Sequence, residues 1–139
     1  VLNGHVKAVT SVAFSTDGTH IISGSGDKSV RVWDASTGAE LKVLNGHKYG
    51  VNSVAFSTDG TRIVSGSWDN SVQVWDASTR LLKVLNGHTH SVSSVAFSTD
   101  GTQILKVLDG HTHSVTSVTF SIDGTCIVSG SHDNSVRVW

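Results

Sequence analysis

The chain has 139 residues and a formal net charge of -1, from ten Lys and Arg against eleven Asp and Glu, with eight His, one Cys and no Pro. That balance holds no basic block able to follow a phosphate backbone or an anionic bilayer, which sets nucleic acid and membranes aside as expected partners. The N-terminus lacks a secretory pattern, no apolar run reaches the roughly 18 residues of a membrane helix, and the lone Cys126 lies in an apolar run. A buried thiol, a reducing compartment and a cytoplasmic location are the expectation.

In chain order, short β-branched runs alternate with turn signals and no helical period is present. Val9 to Phe14 predicts a strand closed by the turn Thr16-Asp17-Gly18, where Gly accepts a positive φ. His20 to Ser23 predicts a second strand, the turn Gly26-Asp27-Lys28 follows, Ser29 to Trp33 predicts a third and Glu40 to Leu44 a fourth. Apolar residues on both faces of these strands, as at Val30, Val32 and Trp33, suit sheets sandwiched between neighbours.

The same series then recurs. Gly-His pairs place histidines at His5, His47, His88 and His111, with steps of 42, 41 and only 23 residues. The segment SVAFSTDGT stands at 11–19, 53–61 and 94–102, with SVTFSIDGT at 117–125. Aligned on the second copy, the third passes from Ile104 directly to Leu105 and skips the counterparts of 64–81, so it lacks its SGSxD and VWD segments. The expected repeats are therefore 4–45, 46–86, a truncated 87–109, and 110–139, forming a single array. Strand signals number four, four, two and three. The chain starts at Val1 and stops at Trp139, where two earlier copies continue as Trp-Asp, so a fragment of something longer is expected.

A period of 41 to 42, Gly-His near each start, and Trp33-Asp34 and Trp75-Asp76 resemble the WD-repeat (β-transducin-like) family of β-propellers. The resemblance covers essentially the whole chain. It implies an all-β fold of four-stranded antiparallel blades, here an incomplete ring of about three and a half, that binds proteins or peptides and is not an enzyme. It implies no cofactor. Because a closed propeller uses at least four full blades, self-association to complete a ring is also expected.

Three sets of residues fall at matching offsets: His5, Ser23, Asp27 and Trp33; His47, Ser65, Asp69 and Trp75; His111, Ser129, Asp133 and Trp139. Read in isolation each suggests a hydrolytic triad. The resemblance implies instead a buried structural chain from Asp to His to Ser to the indole, and such polar groups need partners inside a blade. The third copy keeps His88 without the matching Ser, Asp and Trp, so His88 is expected to be unpaired or water-bonded. His88/His90 and His111/His113 have the alternate spacing of metal ligands on a strand, but no Cys or carboxylate recurs beside them, and no metal site is expected.

Residues 4–37 and 46–79 differ at nine positions: Val6/Lys48, Lys7/Tyr49, Ala8/Gly50, Thr10/Asn52, His20/Arg62, Ile22/Val64, Gly26/Trp68, Lys28/Asn70 and Arg31/Gln73. Apart from Ile22/Val64, changes of this size and charge are expected at the surface. The family resemblance places the partner-binding face at Ala8, Thr10, Gly26, Gly50, Asn52, Trp68, Ser91, Ser93, Ser114, Thr116 and His132. An alternative is a degenerate structural fragment that needs self-association to fold and has no ligand of its own.

Overall fold

A computed structural model of the chain describes residues 1–77, 80–86, 88–98, 113, 115–120 and 127–138, which contain strands and no helix. The first sheet joins β1 (Val9–Phe14), β2 (His20–Ser25), β3 (Ser29–Asp34) and β4 (Glu40–Asn45) in that order. The second repeats it with β5 (Val51–Phe56), β6 (Arg62–Ser67), β7 (Val72–Asp76) and β8 (Leu81–Leu85). A third sheet holds β9 (Val115–Phe120), β10 (Ile127–Ser131) and β11 (Val136–Val138). All the pairings are antiparallel.

Short polar side chains build the turns. Asp17 accepts the Ser15 hydroxyl at 2.6 Å and the Thr19 amide at 3.0 Å, while Gly18 takes φ 70°, and this closes the β1–β2 hairpin. Asp59 and Gly60 do the same between β5 and β6. After β3, Asp34 accepts the amides of Ser36 at 2.9 Å and Thr37 at 2.7 Å, so the Asp that follows Trp33 is a turn former.

The first two sheets stack through their second and first strands. Val51 and Val54 of β5 lie over Gly24 of β2, so close that a Cβ on Gly24 would sit 2.7 Å from the Val51 Cγ1. Gly66 stands in the same relation to Val92 and Val95, at 2.7 and 2.9 Å. The glycines of the first two SGS runs are thus required by close approach of the next repeat, not by backbone conformation. Ile22, Val30, Val32, Leu44, Val51, Val54, Ile63 and Trp75 form one buried cluster, and Val64, Val72, Val92, Val95 and Phe97 a second.

In the third repeat the described residues 88–98 hold an isolated bridge at Phe97 where the first of its two expected strands falls, and the second expected strand lies outside the described residues. Val92, Val95 and Phe97 are nevertheless buried against the second sheet, and the Val92 amide donates to the Ser67 carbonyl at 2.9 Å.

Candidate functional site

In the first repeat, Trp33 Nε1 donates to Ser23 Oγ at 2.8 Å, Ser23 lies 2.7 Å from His5 Nε2, and His5 Nδ1 lies 2.8 Å from Asp27 Oδ2. The second repeat has the same chain through Trp75, Ser65, His47 and Asp69, at 2.9, 2.8 and 2.9 Å. An indole N–H only donates, so the serine oxygen accepts it and turns its single proton to His Nε2. The histidine proton then faces the carboxylate from Nδ1. Edge contacts of the His5 and His47 rings on Trp33 and Trp75, at 6.1 and 6.3 Å between centroids, complete each set.

The remaining carboxylate oxygens are also taken. Asp27 accepts the Val6 amide and both the amide and hydroxyl of Ser29, and Asp69 accepts the corresponding groups of Lys48 and Ser71. Burial alone would raise both pKa values, but bonds from Ser29 and His5 hold the Asp27 carboxyl well below the carboxylate range. Bonds from Ser71, the Lys48 amide and His47 lower that of Asp69. Ser23, Ser65 and Ser129 are 4, 0 and 1% exposed, so these hydroxyls lie out of reach of an acyl substrate. A nucleophile needs access as well as a base.

In the fourth repeat, Asp133 accepts the Ser135 amide at 2.9 Å and hydroxyl at 2.6 Å, as Asp27 does from Ser29, whereas His111 and Trp139 lie outside the described residues. His88 does not match its expectation: it has an interaction partner. Among the described residues no group of three or more His, Cys, Asp or Glu is gathered as a metal site would require.

The expected partner-binding positions divide into two kinds. Trp68, 64% exposed, stands at the β6–β7 turn with its amide donating to the Gly50 carbonyl at 3.0 Å. Ala8, Thr116 and His132 are also exposed, Gly26, Ser91 and Ser93 are half-buried, and Ser114 lies outside the described residues. Thr10 and Asn52 sit where β1 and β5 bulge, and each reaches the next repeat. Thr10 Oγ1 donates to the Val51 carbonyl at 2.5 Å, and Asn52 Nδ2 to the Val92 carbonyl at 3.1 Å. Gly50 is buried, its Cβ position 3.2 Å from the Gly26 Cα.

Two of the nine differing pairs therefore correct the surface expectation. Gly50 is enclosed by the neighbouring repeat, and Gln73 is buried with its Oε1 lacking a partner, packed where a Cβ on Gly46 would stand 2.6 Å away. Its counterpart Arg31 is half-buried and paired with Glu40. Tyr49, expected from the sequence to flank Trp68, is exposed, with Lys28 Nζ 5.9 Å from its ring centroid.

Comparison with known proteins agrees with this geometry. Curated relatives include Protein Mut11 of Chlamydomonas reinhardtii, 55% identical over 40 residues, and Protein Notchless of Drosophila melanogaster, 59% identical over 34 residues. Ribosome assembly protein 4 of Saccharomyces cerevisiae is 49% identical over 37 residues. These stretches cover 29, 24 and 27% of the chain and 11, 7 and 7% of the relatives, so each match amounts to about one repeat of a much longer protein. The profile of the WD domain, G-beta repeat family matches residues 1–34, 38–76, 79–105 and 102–139, the third match being the shortest. Such repeats act in general as non-enzymatic, protein-binding modules. With four matches spanning the chain and two complete His, Ser, Asp and Trp sets inside four-stranded sheets, the protein belongs to the WD domain, G-beta repeat family.

Proposed function

We propose that this chain is a recognition module of a larger scaffold, and that it takes its partner on the end of the sheets bearing the β2–β3 and β6–β7 turns, with Trp68 as anchor. The observation that carries this is an exposed indole at a turn where the first copy has Gly26 and the fourth His132, so the blade itself does not require an aromatic there. A rigid aromatic of large area is the commonest kind of binding hot spot, and its truncation often removes about 2 kcal/mol or more. In this reading the His, Ser, Asp and Trp sets are structural, and the single cysteine is compatible with a reducing compartment such as the cytoplasm.

Trp68→Ala is expected to leave the melting temperature within a few degrees while abolishing capture of partners from a lysate, identified by mass spectrometry. Unchanged capture, or unfolding with the same partners retained at permissive temperature, would assign Trp68 to packing.

Self-association is a second reading with its own observation. Val9, Val12 and Phe14 of β1 are exposed, although their counterparts Val51 and Val54 are buried and Phe56 packs against the core. An apolar strand face of this kind suits cover by another repeat. Light scattering after size exclusion checks it: a dimer or higher species is expected at tens of micromolar, and a monodisperse monomer would count against it.

A further inference from the structure

Among the described residues of the first two repeats, the accessible charge at the end bearing Trp68 has one sign. Lys7, Lys28 and Lys48 are exposed, and among the described residues none pairs with a carboxylate. Lys28 contacts an aromatic directly, and the other two stand on segments linked to Trp68. Lys7 Cβ lies 3.6 Å from the Cβ position of Gly26, Gly26 abuts Gly50, and the Gly50 carbonyl holds the Trp68 amide. Lys28 lies over the Tyr49 ring, and the Lys48 amide donates to Asp69, next to Trp68.

In the first two repeats the carboxylates of this end, Asp27 and Asp69, leave only 5 and 6% of their side chains exposed and are saturated by His, Ser and backbone donors. Exposed carboxylates sit at the opposite turns. Bonds from Ser15 and Ser57 lower Asp17 and Asp59 to about 2, so both are ionised throughout the neutral range. In the first two repeats the exposed turn carboxylates therefore lie at the far end, where Arg62 and Arg80 also stand, while the end bearing Trp68 presents only lysines.

A second observation concerns Lys28 itself. Its φ is 77°, in the left-handed region, where the second and fourth repeats place Asn70 and Asn134 at 63 and 64°. Asn adopts that conformation more readily than Lys, through its short polar side chain. Backbone strain of this kind is concentrated at binding sites. Here it holds a cation beside Tyr49.

We propose that this rim binds an acidic segment of a partner protein, with one of the segment's apolar or aromatic side chains against Trp68 and Tyr49 and its carboxylates facing Lys7, Lys28 and Lys48. The proposal rests on the recognition face argued above. It favours a peptide over a nucleic acid because affinity for a phosphate backbone grows with the number of phosphates neutralised, and three lysines on a chain of net charge -1 neutralise few.

The test is fluorescence anisotropy on the full chain with three labelled probes: a peptide of glutamates flanking one phenylalanine, the same peptide with glutamines, and a single-stranded RNA of similar length. The glutamate peptide is expected to bind about tenfold tighter than the glutamine peptide at low salt, the advantage shrinking as salt rises. Combined Lys7→Gln, Lys28→Gln and Lys48→Gln should erase the advantage, and Arg at the same three positions should keep it, with unchanged melting curves as the control. Equal binding of both peptides, still dependent on Trp68, would overturn the acidic partner while leaving the recognition face intact. RNA bound more tightly than the glutamate peptide through the same lysines, or no binding of the glutamate peptide, would overturn it as well. Loss of the recognition face itself would show separately, as lysate capture indifferent to Trp68→Ala.

Discussion

The first two repeats share SVAFSTDGT letter for letter, yet Val12 is 66% exposed and Val54 only 5%. Their internal bonds are the same to within 0.1 Å along the indole, serine, histidine and carboxylate chain. What differs is cover. The β5 side chains meet Gly24 of the preceding sheet, whereas Val9 and Val12 of β1 are exposed. A repeat thus fixes its own hydrogen bonds from within, while the burial of its innermost strand depends on its neighbour.

The comparison is broken most severely by removing the shared network from one side. Asp69→Ala leaves the His47 Nδ1–H, the Lys48 amide and Ser71 without their acceptor, and is expected to cost up to about 3 kcal/mol in chemical denaturation. An unchanged midpoint would show that the network is dispensable. A smaller effect sharpens the contrast of cover. Val54→Ala removes two buried methyl groups and should cost about 1.5 kcal/mol, while Val12→Ala should stay within about 0.5 kcal/mol. Equal losses at the two positions would mean that the β1 face is covered in solution.

Acid titration is the gentlest probe. Asp69 titrates in the folded chain below its ordinary value of 3.8, because the hydrogen bonds outweigh burial. A depressed folded pKa adds stability that is fully present above the unfolded value and is lost as pH falls toward the folded one. Thermal stability is therefore expected to be flat near neutrality and to decline below about pH 4, and Asp69→Asn should flatten that decline.

In the first two repeats the strand positions were legible because β-branched runs and turn residues follow local rules. The predicted Val9 to Phe14 and Glu40 to Leu44 match β1 and β4 to within one residue, and Asp17-Gly18 marks its turn. Residues at the seams were less legible. Thr10 and Asn52 differ between copies as surface positions do, but each bonds the following repeat, and two different side chains satisfy the same kind of carbonyl. Gln73 is buried against Gly46, and no local pattern separates that from exposure. Nor does the lysine at residue 28 advertise a left-handed backbone, since Gly or Asn is the usual signal.

The seam bonds also bear on how such an array changes its length. The Val54 amide donates to Ser11 Oγ at 3.2 Å, and the Val95 amide to Ser53 Oγ at the same distance. Each joint is made from parts that the whole repeats both carry: the serine and valines of an innermost strand on one side, the SGS glycine on the other. Gain or loss of a whole repeat through unequal recombination leaves every remaining joint matched. The deletion inside the third repeat cut within a unit instead, keeping the half that leans back on Gly66 and discarding the SGS half that would receive the next repeat. An array of interchangeable parts tolerates deletions counted in whole repeats, and its vulnerability is to those that are not.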